Sequence, residues 1–75
     1  MYKEETLAEQ KKVFESLKEF IEDNGFAPTE RELCQKAGCS SRAVLHRHLV
    51  RLKFEGFIDY IPQKSRTIRI LRREA

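Results

Sequence analysis

Between Ser41 and Arg51 the sequence sets Arg42, His46, Arg47 and Arg51 among aliphatic residues, and a second basic group, Lys64-Ser65-Arg66, follows Pro62-Gln63. Arginine presents a planar fork of donors that matches guanine O6 and N7 or a phosphate, and histidine can donate to a guanine acceptor. Ala43 and Val44 are of a size to touch a thymine methyl. The chemistry open to such a set is nucleic-acid recognition, with base edges read by one group and phosphates held by the other. A solvated helix face would carry similar residues, so the elements that hold them must decide.

Two cysteines and two histidines offer other chemistry. Cys34, Cys39, His46 and His48 are the ligand types of a Cys2His2 zinc site. Their spacing is not that of a finger, and two residues apart on a helix point about 200° from each other. No metal and no cofactor are expected, and the cysteines read as small core residues. A Cys/His catalytic pair meets the same geometric objection. A chain of 75 residues forms one small domain that buries only about 60% of its unfolded surface, which leaves little scaffold for a catalytic pocket. An enzyme is not expected.

Charge is unevenly placed along the chain. Residues 1–38 hold six Lys/Arg against nine Asp/Glu, a net of −3, whereas residues 39–75 hold nine against three, a net of +6. Arg outnumbers Lys seven to two in the basic half, which favours planar recognition of phosphates and bases. An acidic half followed by a basic half is the trace a polyanion-binding surface leaves. Apolar runs of two or three residues are too short to span a membrane, and no secretory signal is legible. The expected location is the cytoplasm.

The elements that must position these residues follow from periodicity and caps. Thr6-Leu7-Ala8-Glu9 has the form of a capping box, and Val13, Phe14, Leu17, Phe20 and Ile21 form one helical stripe. Asn24-Gly25 ends it, so the first helix is predicted over about residues 7–23. Pro28 demands an extended residue before it, and Thr29-Glu30-Arg31-Glu32 repeats the capping box. Leu33, Cys34 and Ala37 give a short apolar face that Gly38 closes, predicting a second helix over about residues 30–37. Ser40-Ser41 then offers a cap, and Leu45, Leu49 and Leu52 predict a third helix over about residues 41–55, stopped by Gly56. Phe57 to Ile61 and Thr67 to Leu71 then alternate with period two and predict two strands, joined by the turn Pro62-Gln63-Lys64-Ser65. The expected fold is mainly α with a small β-hairpin, a three-helix winged helix-turn-helix whose wing spans about residues 57–71.

At 100° per residue, burying Leu45, Leu49 and Leu52 turns Ala43, Arg47, Val50 and Phe54 outward. Arg42 and His46 then lie on one flank, Val44 and Arg51 on the other. The N-terminal part of a recognition helix enters the major groove, so Ser41, Arg42, Ala43, Val44, His46 and Arg47 are the expected base readers. Thr29 with the second helix's N-terminus, Arg31, Arg51, Lys53, Lys64, Ser65 and Arg66 are the expected phosphate contacts. Phe54 either folds under the wing onto Tyr60 or Ile61, or makes with Val50 a small contact to a second copy on DNA.

The residues also carry a family likeness. Gly25-Phe26-Ala27-Pro28-Thr29, Glu32-Leu33 and Gly38 resemble the first two helices of LexA-type SOS repressors. Leu45-His46-Arg47-His48-Leu49, Leu52, Gly56-Phe57-Ile58 and Ser65-Arg66-Thr67-Ile68-Arg69 continue the pattern from about Thr6 to Leu71 without gaps. The resemblance implies an N-terminal DNA-binding domain that represses transcription in the DNA-damage response, on palindromic double-stranded operators in bacteria or phage. It implies a monomer in isolation that pairs on DNA. The family's second, Ser-Lys self-cleaving and dimerising domain is expected to be missing, since the sequence stops at Ala75. The rival reading is a winged helix that binds protein, because fold alone does not imply DNA binding. Its exposed helix would carry apolar or acidic residues rather than Arg42, His46, Arg47 and Arg51. RNA ranks third, because its deep major groove does not admit a helix.

Overall fold

The computed structural model describes the backbone of residues 2–72 and the side chains of residues 7–72. Three helices come first, α1 (Tyr2–Asn24), α2 (Glu30–Ala37) and α3 (Arg42–Phe54). An antiparallel hairpin of β1 (Ile58–Asp59) and β2 (Arg69–Ile70) follows, with Ile58 opposite Ile70 and Asp59 opposite Arg69. This is a winged helix-turn-helix.

Helix α1 starts at Tyr2, ahead of the expected start at residue 7. Thr6 is therefore interior, and its side chain lies outside the described residues. The segment Lys3-Glu4-Glu5 before it has good helix propensity, so a Thr-x-x-Glu spacing there marks no boundary. The C-terminal end is as the sequence predicts: Gly25 takes φ 78° and its N–H donates to Ile21 O at 2.8 Å.

Thr29 caps α2 with a complete capping box. Its Oγ1 accepts from Glu32 N at 3.1 Å, and Glu32 Oε1 accepts from Thr29 N at 2.9 Å. At the other end Gly38, at φ 73°, and Cys39 both donate to Cys34 O. This tight left-handed closure, available to glycine at no steric cost, makes the turn of the helix-turn-helix. Cys34 Sγ lies 3.6 Å from Cys39 O. Both cysteines are half-buried and pack against the core, and burial, then the neighbouring Cys34, pushes the Cys39 thiol up. Ser41 caps α3, its Oγ accepting from Val44 N at 3.2 Å.

The core joins all five elements. Val13, Phe14 and Leu17 of α1 meet Leu33 and Ala37 of α2, Leu45, Leu49 and Leu52 of α3, Ile58 of β1 and Ile68 just before β2, with Ile70 of β2 packed against them. His48 is also buried, with Nε2 3.4 Å from Glu9 Oε1 on α1. His46, two residues earlier, is exposed.

The two strands are shorter than the predicted runs of residues 57–61 and 67–71. Gln63 and Arg66 both take positive φ, 66° and 58°, and Pro62 has no N–H to give a ladder. The Thr67 hydroxyl closes the loop instead: Ile61 N donates to its Oγ1 at 3.0 Å, and it donates to Lys64 O, also at 3.0 Å. Beyond the ladder, Leu71 N donates to Phe57 O at 2.8 Å.

Candidate nucleic-acid interface

The N-terminal end of α3 stands free of the core because the Leu45–Leu49–Leu52 stripe is buried on its other side. Ser41, Arg42, Ala43, His46 and Arg47 are exposed and Val44 is half-buried. An open groove runs between this end, the start of α2 and the wing. It brings together Thr29, Arg31, Arg42, His46 and the wing residues Lys64, Ser65 and Arg66. Ser41, Ala43, Val44, Arg47, Arg51 and Lys53 do not line it. Arg47 lies on the outward ridge of α3 with Ala43, Val50 and Phe54.

The cations on this side differ in how far they are already engaged. Arg31, Arg47 and Lys64 have no acidic partner among the described residues. Arg51 Nε sits 3.5 Å from Glu55 Oε2, a pair one helical turn apart and exposed to solvent. Lys53 turns into the hairpin. Its Nζ donates to Tyr60 O at 3.0 Å, stands 3.6 Å from Asp59 Oδ1 and lies 4.5 Å from the centre of the Tyr60 ring.

Arg66 is held most firmly. Its Nη1 donates to Ala27 O and to Glu32 Oε1, each at 3.0 Å, and its Nη2 donates to Glu32 Oε2 at 3.1 Å. The guanidinium also lies 5.0 Å from the Phe26 ring centre. A bidentate fork of this kind fixes geometry as well as charge. It ties the wing to the start of α2, through the same carboxylate that completes the capping box. Hydrogen bonding from Thr29 N, and then Arg66, holds the Glu32 carboxyl below the usual carboxylate range.

Two groove residues carry no signal in the sequence. Glu30, the first residue of α2, places Oε1 3.5 Å from Arg42 Nη2 and Oε2 3.8 Å from His46 Nδ1, an ion pair when the imidazole is protonated. Tyr60 lines the same groove, and burial, then Glu30, pushes its phenol up. An acidic residue after an N-cap reads simply as a partner for the helix dipole, and nothing local reveals which element it reaches.

Among the described residues no group of three or more His, Cys, Asp or Glu could hold a metal ion. No helix among them is long and apolar enough to cross a membrane. Phe54 does not fold under the wing: it is 87% exposed, and Val50, one turn earlier, is 46% exposed. Burying Leu49 and Leu52 forces that outward direction.

Comparison with known proteins agrees with this architecture. The LexA DNA binding domain family matches residues 4–67. The LexA repressor of Carboxydothermus hydrogenoformans is 34% identical over 67 residues, covering 89% of this chain and 33% of the relative. The LexA repressor of Desulfatibacillum aliphaticivorans is 39% identical over 69 residues, covering 92% of this chain and 34% of that protein. The chain thus spans about a third of the length of the curated relatives it matches.

Proposed function

The chain belongs to the LexA DNA binding domain family, and from that premise we propose that it binds double-stranded DNA sequence-specifically and represses transcription from a palindromic operator. The observation that carries the proposal is one open face: the exposed start of α3, with Arg42 and His46, opposite a wing tip bearing Lys64 and Ser65. Docked by that face, α3 enters the major groove with its N-terminal end and the wing lies along a phosphate backbone. Arg47 or Arg42 gives the bidentate contact to guanine, His46 donates to a second acceptor, and Ala43 or Val44 meets a thymine methyl. Ser41 sets the first turn of α3 by capping it.

Thr29 with the N–H groups opening α2, together with Arg31, Arg51, Lys64 and Ser65, supplies the phosphate contacts. Lys53 and Arg66 contribute by holding the hairpin and wing, since their cations are engaged within the molecule. Two copies occupy the half-sites of the palindrome, and Val50 and Phe54 are the candidate contact between them. A protein-binding winged helix is disfavoured by the cationic exposed side of α3.

Titration against a random duplex pool across a salt series tests the proposal. Enrichment of one sequence is expected, with log K falling by about 0.9 per contacted phosphate for each unit of log salt. A slope near zero would reject DNA as the partner.

A further inference from the structure

Among the described residues lining the groove, Glu30 alone is acidic. A carboxylate in a first helical turn is favourable beside the free N–H groups wherever its side chain points. Here it turns across to α3 and lies within 4 Å of both Arg42 and His46, two of the expected base readers. Its charge also bears on the Tyr60 phenol at the foot of the wing. A fixed negative charge thus stands where a polyanion must approach.

The consequence differs between a phosphate and a base edge. A phosphate that takes Arg42 draws the cation from Glu30 and is itself repelled by the carboxylate left behind. A guanine edge is neutral and offers O6 and N7 together, so two hydrogen bonds offset the lost ion pair. Raising the cost of the wrong contact is as effective for discrimination as improving the right one.

We propose that Glu30 is a specificity-determining residue, whose carboxylate holds Arg42 and His46 between readings and weakens their sequence-independent contacts with phosphate. The inference rests on the DNA-binding reading above and deepens it.

The test uses the 75-residue chain with two duplexes of equal length, the one it enriches from a random pool and an unrelated one. E30Q should bind the unrelated duplex about threefold to tenfold more tightly, the range for releasing the Arg42 ion pair and, when the imidazole is protonated, the His46 pair. The enriched duplex should gain less, so the ratio of the two affinities falls. E30D keeps the charge and should keep the ratio. The E30Q effect should shrink in an R42A/H46Q background, and thermal melting of each variant reports its folded state. A ratio unchanged in E30Q, or one that falls equally without Arg42 and His46, overturns the assignment of Glu30. A parent chain that binds neither duplex in a salt-dependent way overturns the DNA-binding reading itself, and the two failures are distinct.

Discussion

Because both terminal nitrogens of Arg66 are taken by Glu32 and Ala27 O, its substitution acts on the position of the wing. Arg47, without an acidic partner among the described residues, acts on whatever approaches α3 from outside. The two changes should therefore separate. Arg47→Ala should leave the melting temperature unaltered, cost about 1–3 kcal/mol on the preferred duplex and relax the choice of base at one position. Arg66→Ala should lower the melting temperature and weaken all duplexes about equally. Identical behaviour of the two variants in melting and in position-resolved binding would reject the division. The partner of Arg66 makes a pH prediction. The folded Glu32 carboxyl titrates below its unfolded value, chiefly through the Thr29 N–H and then Arg66. Its contribution to stability is present above the unfolded value and is lost as pH falls through the folded one. The melting temperature of the parent should exceed that of Glu32→Gln near neutral pH, and the gap should close in the acid range. A gap constant with pH would show that ionised Glu32 adds nothing.

At the scale of the elements, what is legible depends on how local the signal is. Thr29 and Glu32, three residues apart, announce α2, and Gly25 and Gly38 announce the ends of α1 and α2, because caps are set by neighbouring residues. The same local form misleads at Thr6, where good helix formers on the N-terminal side carry the helix through. The alternating run after Gly56 signals a hairpin but not its length, which is cut by Pro62 and the positive φ values at Gln63 and Arg66. Long-range pairs leave no trace at all: Arg66 meets Glu32 and His48 meets Glu9 across 34 and 39 positions. For that reason the sequence offers Arg66 and Lys53 only as phosphate contacts and does not show that both also reach partners within the fold. The Leu45–Leu49–Leu52 stripe is the strongest of the local signals, and every outward assignment on α3 depends on it. Leu49 is fully buried within a core that also holds Phe14 and Leu17. Leu49→Ala should cost about 2–5 kcal/mol in chemical denaturation, a large part of the roughly 5–15 kcal/mol that holds a domain together. A variant as stable as the parent would remove the basis for placing Arg47 outward.

Taken as a whole molecule, the chain combines a cationic face with an apolar spot on α3. Val50 and Phe54 lie one turn apart on α3, past the end that carries Arg42 and His46, and Phe54 is almost wholly in solvent. Two side chains are far short of the area that a stable dimer in free solution requires, about 1,200–2,000 Å² in total. Such a contact becomes effective only when something else supplies proximity, since tethering turns a bimolecular step into an intramolecular one. A palindromic duplex does this by holding two copies in adjacent half-sites related by a twofold axis, so that each presents the same spot to the other. The chain should therefore sediment as a monomer at micromolar concentration and yet fill a palindrome cooperatively. Phe54→Ala should reduce that cooperativity while leaving affinity for a single half-site unchanged. Its melting temperature should also hold, because a ring so exposed has little burial to lose. Half-site and full-site titrations of the parent and variant, with a melting curve for each, check all three expectations. Unaltered cooperativity, or a fall in melting temperature with cooperativity intact, would reject Phe54 as the contact between copies.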